Sequence, residues 1–138
     1  MRNVKLLQFK DFANEYGHLT PIENLRDLPF AIKRIYYITG VAPNVRRGFH
    51  SHKLLDQVLV AVNGSVKILV KNPNEEMIID LHTPTQGLFI GPMIWREMYD
   101  FSEGAALLVL ASEYYDESDY VRDYERYAQE ATNYFLER

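Results

Sequence analysis

The sequence predicts an all-β fold, either a sandwich or a barrel, followed by one C-terminal helix. Short runs of β-branched, aromatic and leucine residues recur as far as about Ser112, and turn residues separate them. Many short strands at this spacing are typical of sandwiches and barrels. Beyond the acidic stretch 116–119, tyrosines recur at helical spacing. The period of the apolar pattern therefore changes once, from that of strands to that of a helix.

The strand pattern is strongest in eight segments, and the helix is expected over about 117–136 with its tyrosines packed on the β body or on a second subunit. Asn63-Gly64, between two of these segments, is the strongest hairpin signal, because both residues tolerate positive φ. The predicted strands are 4–9, 19–22, 32–39, 57–62, 66–70, 77–80, 87–90 and 107–111.

Length and composition indicate one soluble globular domain, residues 1–138, with 47% hydrophobic and 25% charged residues. The absence of cysteine excludes disulfides and thiolate metal sites. Lys10 and Asp11 interrupt the start of the chain before a secretory core, and the apolar runs are too short for a membrane span. We therefore expect a cytoplasmic protein. The net charge of -4 argues against affinity for nucleic acid or an anionic membrane.

The most informative motif is His50-Ser51-His52. Histidines at i and i+2 of an extended segment project to the same side, where they can bind a metal together or act as base and acid on one substrate. The surrounding spacing resembles the first cupin motif, and residues 87–98 resemble the second. Arg96 falls near the position of a metal-binding histidine in that second motif. Since a guanidinium has no lone pair for a metal, we expect no metal and no cofactor, and proton transfer by the histidines.

Three segments together, 47–53, 91–98 and 110–120, resemble the dTDP-4-keto-6-deoxyglucose 3,4-ketoisomerases, which are sugar-nucleotide cupins. The resemblance implies a cupin jelly-roll β-barrel, a homodimer without metal, and His50 and His52 as the catalytic pair. The substrate would be a dTDP-linked 4-keto-6-deoxy sugar. The product would feed an aminotransferase and an acetyltransferase, which supply 3-acetamido sugars for surface polysaccharides such as O-antigen lipopolysaccharide and S-layer glycans.

The family has two branches, which differ in the configuration of the product at C4. Tyr16 and Arg96 resemble the branch that makes dTDP-3-keto-6-deoxyglucose, whereas the galacto branch tends to carry arginine and histidine at these positions. Asp56 departs from relatives that carry Glu or His. In the gluco configuration H3 and H4 lie on opposite faces of the ring, so one base on one face cannot remove H3 and also deliver H4. We expect a second proton source: Tyr16, a water that it holds, or a group positioned by Arg96.

The nucleotide needs a local cluster of positive charge. Arg47 is the first candidate for the pyrophosphate, ahead of Arg46, Lys33 and Arg34. Further substrate-binding candidates are Tyr37, Gln57, His18 and Trp95. Three alternatives remain open: the same reaction with the galacto product, a 3,5-epimerase of the same substrate, and a non-catalytic cupin that only binds a sugar nucleotide.

Overall fold

The computed structural model describes residues 1–137 as two five-stranded antiparallel sheets with one C-terminal helix. The predicted all-β cupin fold is confirmed, although the sheets stay separate and do not close into one hydrogen-bonded barrel. The elements are β1 Val4–Gln8, β2 Phe12–Asn14, β3 Gly17–Leu19, β4 Arg34–Thr39, β5 Arg47–His52, β6 Gln57–Asn63, β7 Val66–Lys71, β8 Glu76–Leu81, β9 Gln86–Ile90, β10 Trp95–Tyr99, β11 Ala106–Ala111, β12 Tyr120–Val121 and α1 Tyr124–Glu137.

The first sheet has the strand order β1-β9-β6-β11-β4, and the second has the order β12-β5-β10-β7-β8. Strands β2 and β3 form a separate two-stranded hairpin. Every pair is antiparallel, and the partners are mostly distant in sequence, as in a jelly roll. No helix within residues 1–137 is long and apolar enough to cross a membrane.

The prediction of a hairpin at Asn63-Gly64 is wrong, because β6 belongs to the first sheet and β7 to the second. Gly64 does adopt the expected positive φ of 68°. The flanking residues bond to another loop and not to each other: Asn63 Nδ2 donates to Gly104 O at 2.7 Å, and Ser65 N donates to Ser102 Oγ at 2.8 Å. The turn therefore carries the chain from one layer to the other.

The main core lies between the sheets, where side chains such as Leu59, Ile68 and Leu107 are at most 2% exposed. Strand β6 is buried on both faces. Its alternate residues Val58 and Val60 pack outward against a second cluster that includes Phe9, Leu28 and Phe30. This double burial explains why β6 is a continuous apolar run and not an alternating one.

The C-terminal helix begins at Tyr124 and not at about 117 as predicted. Residues Glu117–Asp119 form a short 3₁₀ helix capped by the Asp116 side chain, and Tyr120–Val121 then pairs with β5. Local capping by Asp116, together with the pairing of β12, competes with an earlier helix start. The residues that looked like a first helical turn instead lie against the second sheet.

Helix α1 is held on the outer face of the second sheet by Tyr127, which is fully buried. Its hydroxyl lies 2.9 Å from Lys71 O and 3.0 Å from Met93 O. Ala131 packs one turn further along the same side. The helix is therefore fixed by apolar contacts and by one buried hydroxyl, which meets the carbonyl of Lys71 at the end of β7 and that of Met93 in the turn before β10.

We expect Tyr127→Phe to lower the free energy of unfolding by about 1–2 kcal/mol, because buried carbonyl groups lose their hydrogen-bond donor. Urea unfolding followed by far-UV circular dichroism measures this change. Tyr124→Phe is the matched control, since Tyr124 lies on the same helix and is 39% exposed. Equal losses in the two variants would contradict the anchoring role of the Tyr127 hydroxyl.

Candidate active site

The two predicted histidines lie on the inner side of the second sheet, in β5. Their ring centroids are 4.9 Å apart, and the rings meet edge to face. His50 is half-buried, while His52 has no exposed surface. Arg96, on β10, pairs with His50 in the strand register. The spacing of the His-x-His motif therefore places both imidazoles beside the arginine that resembled a lost metal ligand.

A β-bulge in β5 aims His50 toward Arg96. The register between β5 and β10 shifts after the His50–Arg96 pair, leaving Phe49 as an extra residue with a φ of 57°. Gly48 has a φ of 96°, and a Cβ atom there would lie 2.8 Å from Arg96 O. A glycine is thus required before the first histidine by both its backbone angle and the close approach of the next strand.

A third ring, that of Tyr120, completes the cluster, although Tyr120 was not among the predicted site residues. Strand β12 places Tyr120 opposite His52 in the register. Its ring centroid lies 4.3 Å from that of His52 and 5.0 Å from that of His50. The two imidazoles are therefore packed against one aromatic side chain from the segment after the last long strand.

Each histidine has its Nδ1 atom facing an oxygen. His50 Nδ1 lies 3.1 Å from Gly48 O, and His52 Nδ1 lies 3.2 Å from Asp119 Oδ2. A carbonyl oxygen only accepts hydrogen bonds, so His50 carries its proton on Nδ1 and presents Nε2 as the basic atom.

Two effects lower the pKa of His50 to about 3: burial is the larger, and the positive charge of Arg96 is the second. The same two causes, in the same order, lower the pKa of His52. Both imidazoles are therefore neutral near neutral pH. A neutral imidazole can accept a proton, which is what a general base has to do.

Arg96 is 1% exposed and links the two sheets. Its Nη1 donates to Gln57 Oε1 at 2.6 Å, and Gln57 Nε2 in turn donates to Tyr36 Oη at 3.0 Å. Burial lowers the pKa of Arg96 to about 10, so the side chain remains a cation at neutral pH. Gln57, a predicted substrate contact, is thus used to hold the guanidinium.

Two cavities open beside the histidines. The larger cavity, of about 660 Å³, is lined by His50, by three arginines and by the predicted residue Tyr37. The arginines are Arg34, Arg47 and Arg122. This concentration of cations in a chain of net charge -4 suits a phosphorylated ligand.

The smaller cavity, of about 430 Å³, is lined by His52 and by carboxylates. Arg34, Tyr115 and Tyr120 line both cavities, so they form the wall between them. Arg34 lies over the rings of Tyr36 and Tyr115, at 5.2 and 5.6 Å from their centroids. The carboxylates are those of Glu113, Asp116 and Asp119.

Two predicted phosphate ligands are engaged elsewhere. Arg46 Nε lies 2.7 Å from Glu97 Oε1, and its guanidinium lies 4.0 Å from the ring centroid of Tyr99. Lys33 Nζ lies 3.0 Å from Glu113 Oε2. Neither basic residue lines the two cavities within residues 1–137.

Three further predicted site residues lie away from the histidines of their own chain. Tyr16 is 90% exposed in the β2–β3 hairpin, and His18, on β3, pairs with Asp11 at 3.0 Å. Trp95 is buried under α1, with its Nε1 donating to Glu97 Oε2 at 2.8 Å. In the described part of the chain, none of the three lines either cavity.

The structure adds Arg122 to the residues that face the larger cavity. Two nitrogens of its guanidinium bond to the two carboxylate oxygens of Glu117, at 2.9 and 3.0 Å, and it lies 4.3 Å from the ring centroid of Tyr120. The hint in the sequence was the alternation of Tyr120 and Arg122, which places both on one side of an extended segment. Reading this segment as a helix concealed that alternation.

The arrangement combines two neutral imidazoles, a buried cation beside them and a cation-lined cavity. It is suited to moving protons on a ligand that carries phosphate and develops negative charge on an oxygen.

Comparison with known proteins gives one family and several relatives. The family model described as FdtA: WxcM-like, C-terminal matches residues 2–132. A curated relative from Aneurinibacillus thermoaerophilus, named TDP-4-oxo-6-deoxy-alpha-D-glucose-3,4-oxoisomerase, is 42% identical over 134 residues. This match covers 97% of the present chain and 96% of the relative.

Solved structures agree in fold over nearly the full length. The 3,4-ketoisomerase QdtA from Thermoanaerobacterium thermosaccharolyticum, as a histidine-to-asparagine mutant in complex with TDP-4-keto-6-deoxyglucose, has a TM-score of 0.97 and 60% identity, covering 99% of both chains. The TDP-quinovose 3,4-ketoisomerase WlaRB from Campylobacter jejuni has a TM-score of 0.90 and 43% identity, covering 94% of this chain and 99% of that one.

We expect His50 to make folding stability depend on pH. The pKa of His50 is about 3 in the folded chain, against roughly 6.5 for an unperturbed histidine, so its stabilising contribution is complete above pH 6.5. As the pH falls from 6.5 toward 3, His50 is protonated in the unfolded chain but stays neutral in the folded chain. The free energy of unfolding should then decrease by about 1 kcal/mol per pH unit through this residue.

Urea unfolding at a series of pH values between 4 and 7 measures this dependence. His50→Asn should show a shallower decrease than the wild type. Ser51→Ala, which changes a buried neighbour without a titratable group, should keep the wild-type slope. Identical slopes for His50→Asn and the wild type would show that His50 is not held neutral by its surroundings.

Proposed function

This chain belongs to the FdtA family of 3,4-ketoisomerases, and we propose that it converts TDP-4-keto-6-deoxyglucose into TDP-3-keto-6-deoxyglucose. It is an isomerase. The single observation that carries the proposal is the pair of neutral histidines, 4.9 Å apart, beside a cavity lined by three arginines. The product is a 3-keto sugar of the kind that an aminotransferase consumes to make a 3-amino-3,6-dideoxy sugar.

Moving the ketone from C4 to C3 requires two proton transfers at carbon. A base removes the C3 proton, which the adjacent carbonyl makes acidic, and an enediolate forms. A proton is then returned to C4. Negative charge develops on O4 first and on O3 second, so a cation next to both oxygens lowers both barriers. Arg96 supplies this charge through space from its buried position beside the histidines, since it is 1% exposed and, among the described residues, is not part of the lining of either cavity.

We assign the removal of the C3 proton to His50. Its Nδ1 proton is held by Gly48 O, its Nε2 is the basic atom, and the side chain lines the larger cavity. His52 then transfers protons between the two sugar oxygens. This division follows from the cavities that the two side chains line, since His50 lines the larger, arginine-rich cavity and His52 lines the smaller one.

The diphosphate is assigned to the larger cavity, where Arg34, Arg47 and Arg122 converge. QdtA has been solved in complex with TDP, which supports a nucleotide site in this fold. Arg46 and Lys33 rank lower than in the sequence prediction, because neither of them lines the two cavities in the described part of the chain. Tyr37 is positioned to contact the nucleotide at the rim of the same cavity.

The gluco configuration is proposed from Tyr16 and Arg96. A second proton source is needed on the face of the ring opposite the base, and Tyr16 is the candidate. A double mutant of QdtA, with tyrosine replaced by arginine and arginine by histidine, has been solved in complex with TDP. The same two replacements, tyrosine by arginine and arginine by histidine, distinguish the galacto branch from the gluco branch at the positions of Tyr16 and Arg96.

Tyr16 can serve this role only from a second copy of the chain. It is 90% exposed on the hairpin that follows β1, and β1 is the edge strand of the first sheet opposite β4, which borders the larger cavity. The same hairpin exposes Phe12 and Leu19, at 59% and 62%. We therefore propose a homodimer in which this apolar hairpin packs against the partner and presents Tyr16 to its site.

The first test is turnover of TDP-4-keto-6-deoxyglucose, followed by NMR in deuterated water. The wild type should form the 3-keto product with deuterium at C4 and the gluco configuration. His50→Asn and His52→Asn should each lower kcat by about 10²–10⁴-fold, since each removes a proton-transfer group. His82→Asn, an exposed histidine, is the control with unchanged turnover.

Other outcomes identify the alternatives. A galacto configuration at C4 would place the enzyme in the other product branch. Deuterium entering C5 without a 3-keto product would indicate a 3,5-epimerase. Binding of TDP without turnover in the wild type would indicate a non-catalytic sugar-nucleotide-binding cupin.

The second test mixes two inactive variants, His50→Asn and Tyr16→Phe, after unfolding and refolding them together. If Tyr16 acts across the dimer, each mixed dimer contains one complete site, so about one quarter of wild-type turnover should return. The separately refolded variants are the controls. No recovery in a mixture that contains mixed dimers would show that Tyr16 acts within its own chain or not at all.

A further inference from the structure

Asp119 stands directly behind His52, and both of its carboxylate oxygens are engaged. Oδ2 lies 3.2 Å from His52 Nδ1, and Oδ1 accepts a hydrogen bond from Leu54 N at 2.9 Å. The Asp119 side chain is only 16% exposed, and that of His52 is 0% exposed. A carboxylate so enclosed has little freedom to turn away from the imidazole.

The backbone fixes Asp119 against β5 as well. Lys53 N donates to Asp119 O at 2.9 Å, and Asp119 N donates to Asp116 O at 3.1 Å. The next residue, Tyr120, is the register partner of His52. Hydrogen bonds on both sides of Asp119 therefore hold its side chain at a set distance from the histidine.

This geometry specifies the tautomer of His52. The carboxylate only accepts, so the proton of the neutral imidazole lies on Nδ1. His52 Nε2 is then unprotonated and carries a lone pair, and this atom is buried without a hydrogen-bond partner among residues 1–137. The contact is a hydrogen bond and not an ion pair, since burial and then Arg96 lower the pKa of His52.

We propose that Asp119 is a positioning residue for the isomerisation, which locks His52 in the tautomer whose Nε2 carries protons between O3 and O4 of the sugar. The inference rests on the proposed function for its substrate. The contact of Asp119 with His52 does not depend on that substrate.

The proton balance is closed. Nε2 accepts a proton from one sugar oxygen and returns it to the other, while the Nδ1 proton stays between His52 and Asp119. The imidazolium that exists between these two events lies beside the cationic Arg96, and the Asp119 carboxylate offsets that repulsion. No proton is consumed over the cycle.

Asp119→Asn tests the proposal. Leu54 N still requires an acceptor, so the amide oxygen of the new side chain stays there and its NH₂ group faces His52 Nδ1. The proton of His52 should then move to Nε2, the wrong atom for accepting another. We expect kcat to fall by about 10²–10⁴-fold with KM changed by less than about threefold, as for an Asp→Asn change behind a catalytic histidine elsewhere.

The decisive readout is the tautomer itself, seen in the ¹⁵N chemical shifts of the histidine ring at neutral pH. Wild-type His52 should carry its proton on Nδ1, and Asp119→Asn should carry it on Nε2. Asp123→Asn is the matched control. It removes the same charge from the same segment, but its side chain faces Arg126 N at the start of α1.

The two readouts keep this proposal separate from the proposed function. A wild-type His52 protonated on Nε2 would overturn the proposal even if no variant folded. An Asp119→Asn variant with wild-type kcat would overturn it too. If the wild type failed to isomerise TDP-4-keto-6-deoxyglucose but His52 showed the expected tautomers, the proposed substrate would fail and the positioning role of Asp119 would stand.

Discussion

A buried guanidinium joins the two sheets at the end of the molecule where the histidines lie. Arg96 belongs to the second sheet, and its hydrogen bond of 2.6 Å to Gln57 reaches the first. Burying a cation carries a large desolvation cost, which hydrogen bonds must offset. The same charge is the second cause, after burial, that lowers the pKa of both imidazoles and keeps them neutral. One residue thus connects the packing of the layers with the chemistry between them.

The strands were predictable from the sequence where apolar side chains cover one face of the strand or both of its faces. Seven of the eight predicted strands were found within two residues of each end, since β-branched, aromatic and leucine residues mark them; they correspond to β1, β4, β6, β7, β8, β9 and β11. The eighth prediction, a strand over 19–22, was wrong, because β3 ends at Leu19. Strands β5 and β10 were not predicted, because histidines and arginines on their inner faces interrupt the apolar pattern. The crossing of the chain from one sheet to the other at Asn63-Gly64 was also missed. A turn motif specifies backbone angles, but it does not specify which sheet the next strand joins.

The site was predictable where its residues are adjacent in sequence. His50, His52 and Arg47 lie on one strand, and Arg96 stood out because a cation occupied a position expected for a ligand. Asp119 and Tyr120 were missed because only the pairing of β12 with β5, far away in sequence, brings them to the histidines. Local spacing cannot reveal such long-range contacts. It also cannot reveal a contribution from a second chain, which is why Tyr16 remains a prediction.

Trp95 is the only tryptophan in the sequence, and its position gives it a use that has nothing to do with the substrate. The indole is 3% exposed, with the rings of Tyr124 and Tyr127 at 5.1 and 5.4 Å from it. Both tyrosines belong to α1. Intrinsic fluorescence of this chain therefore reports whether the C-terminal helix is docked, and it separates undocking of that helix from events in the cavities on the other face of the sheet.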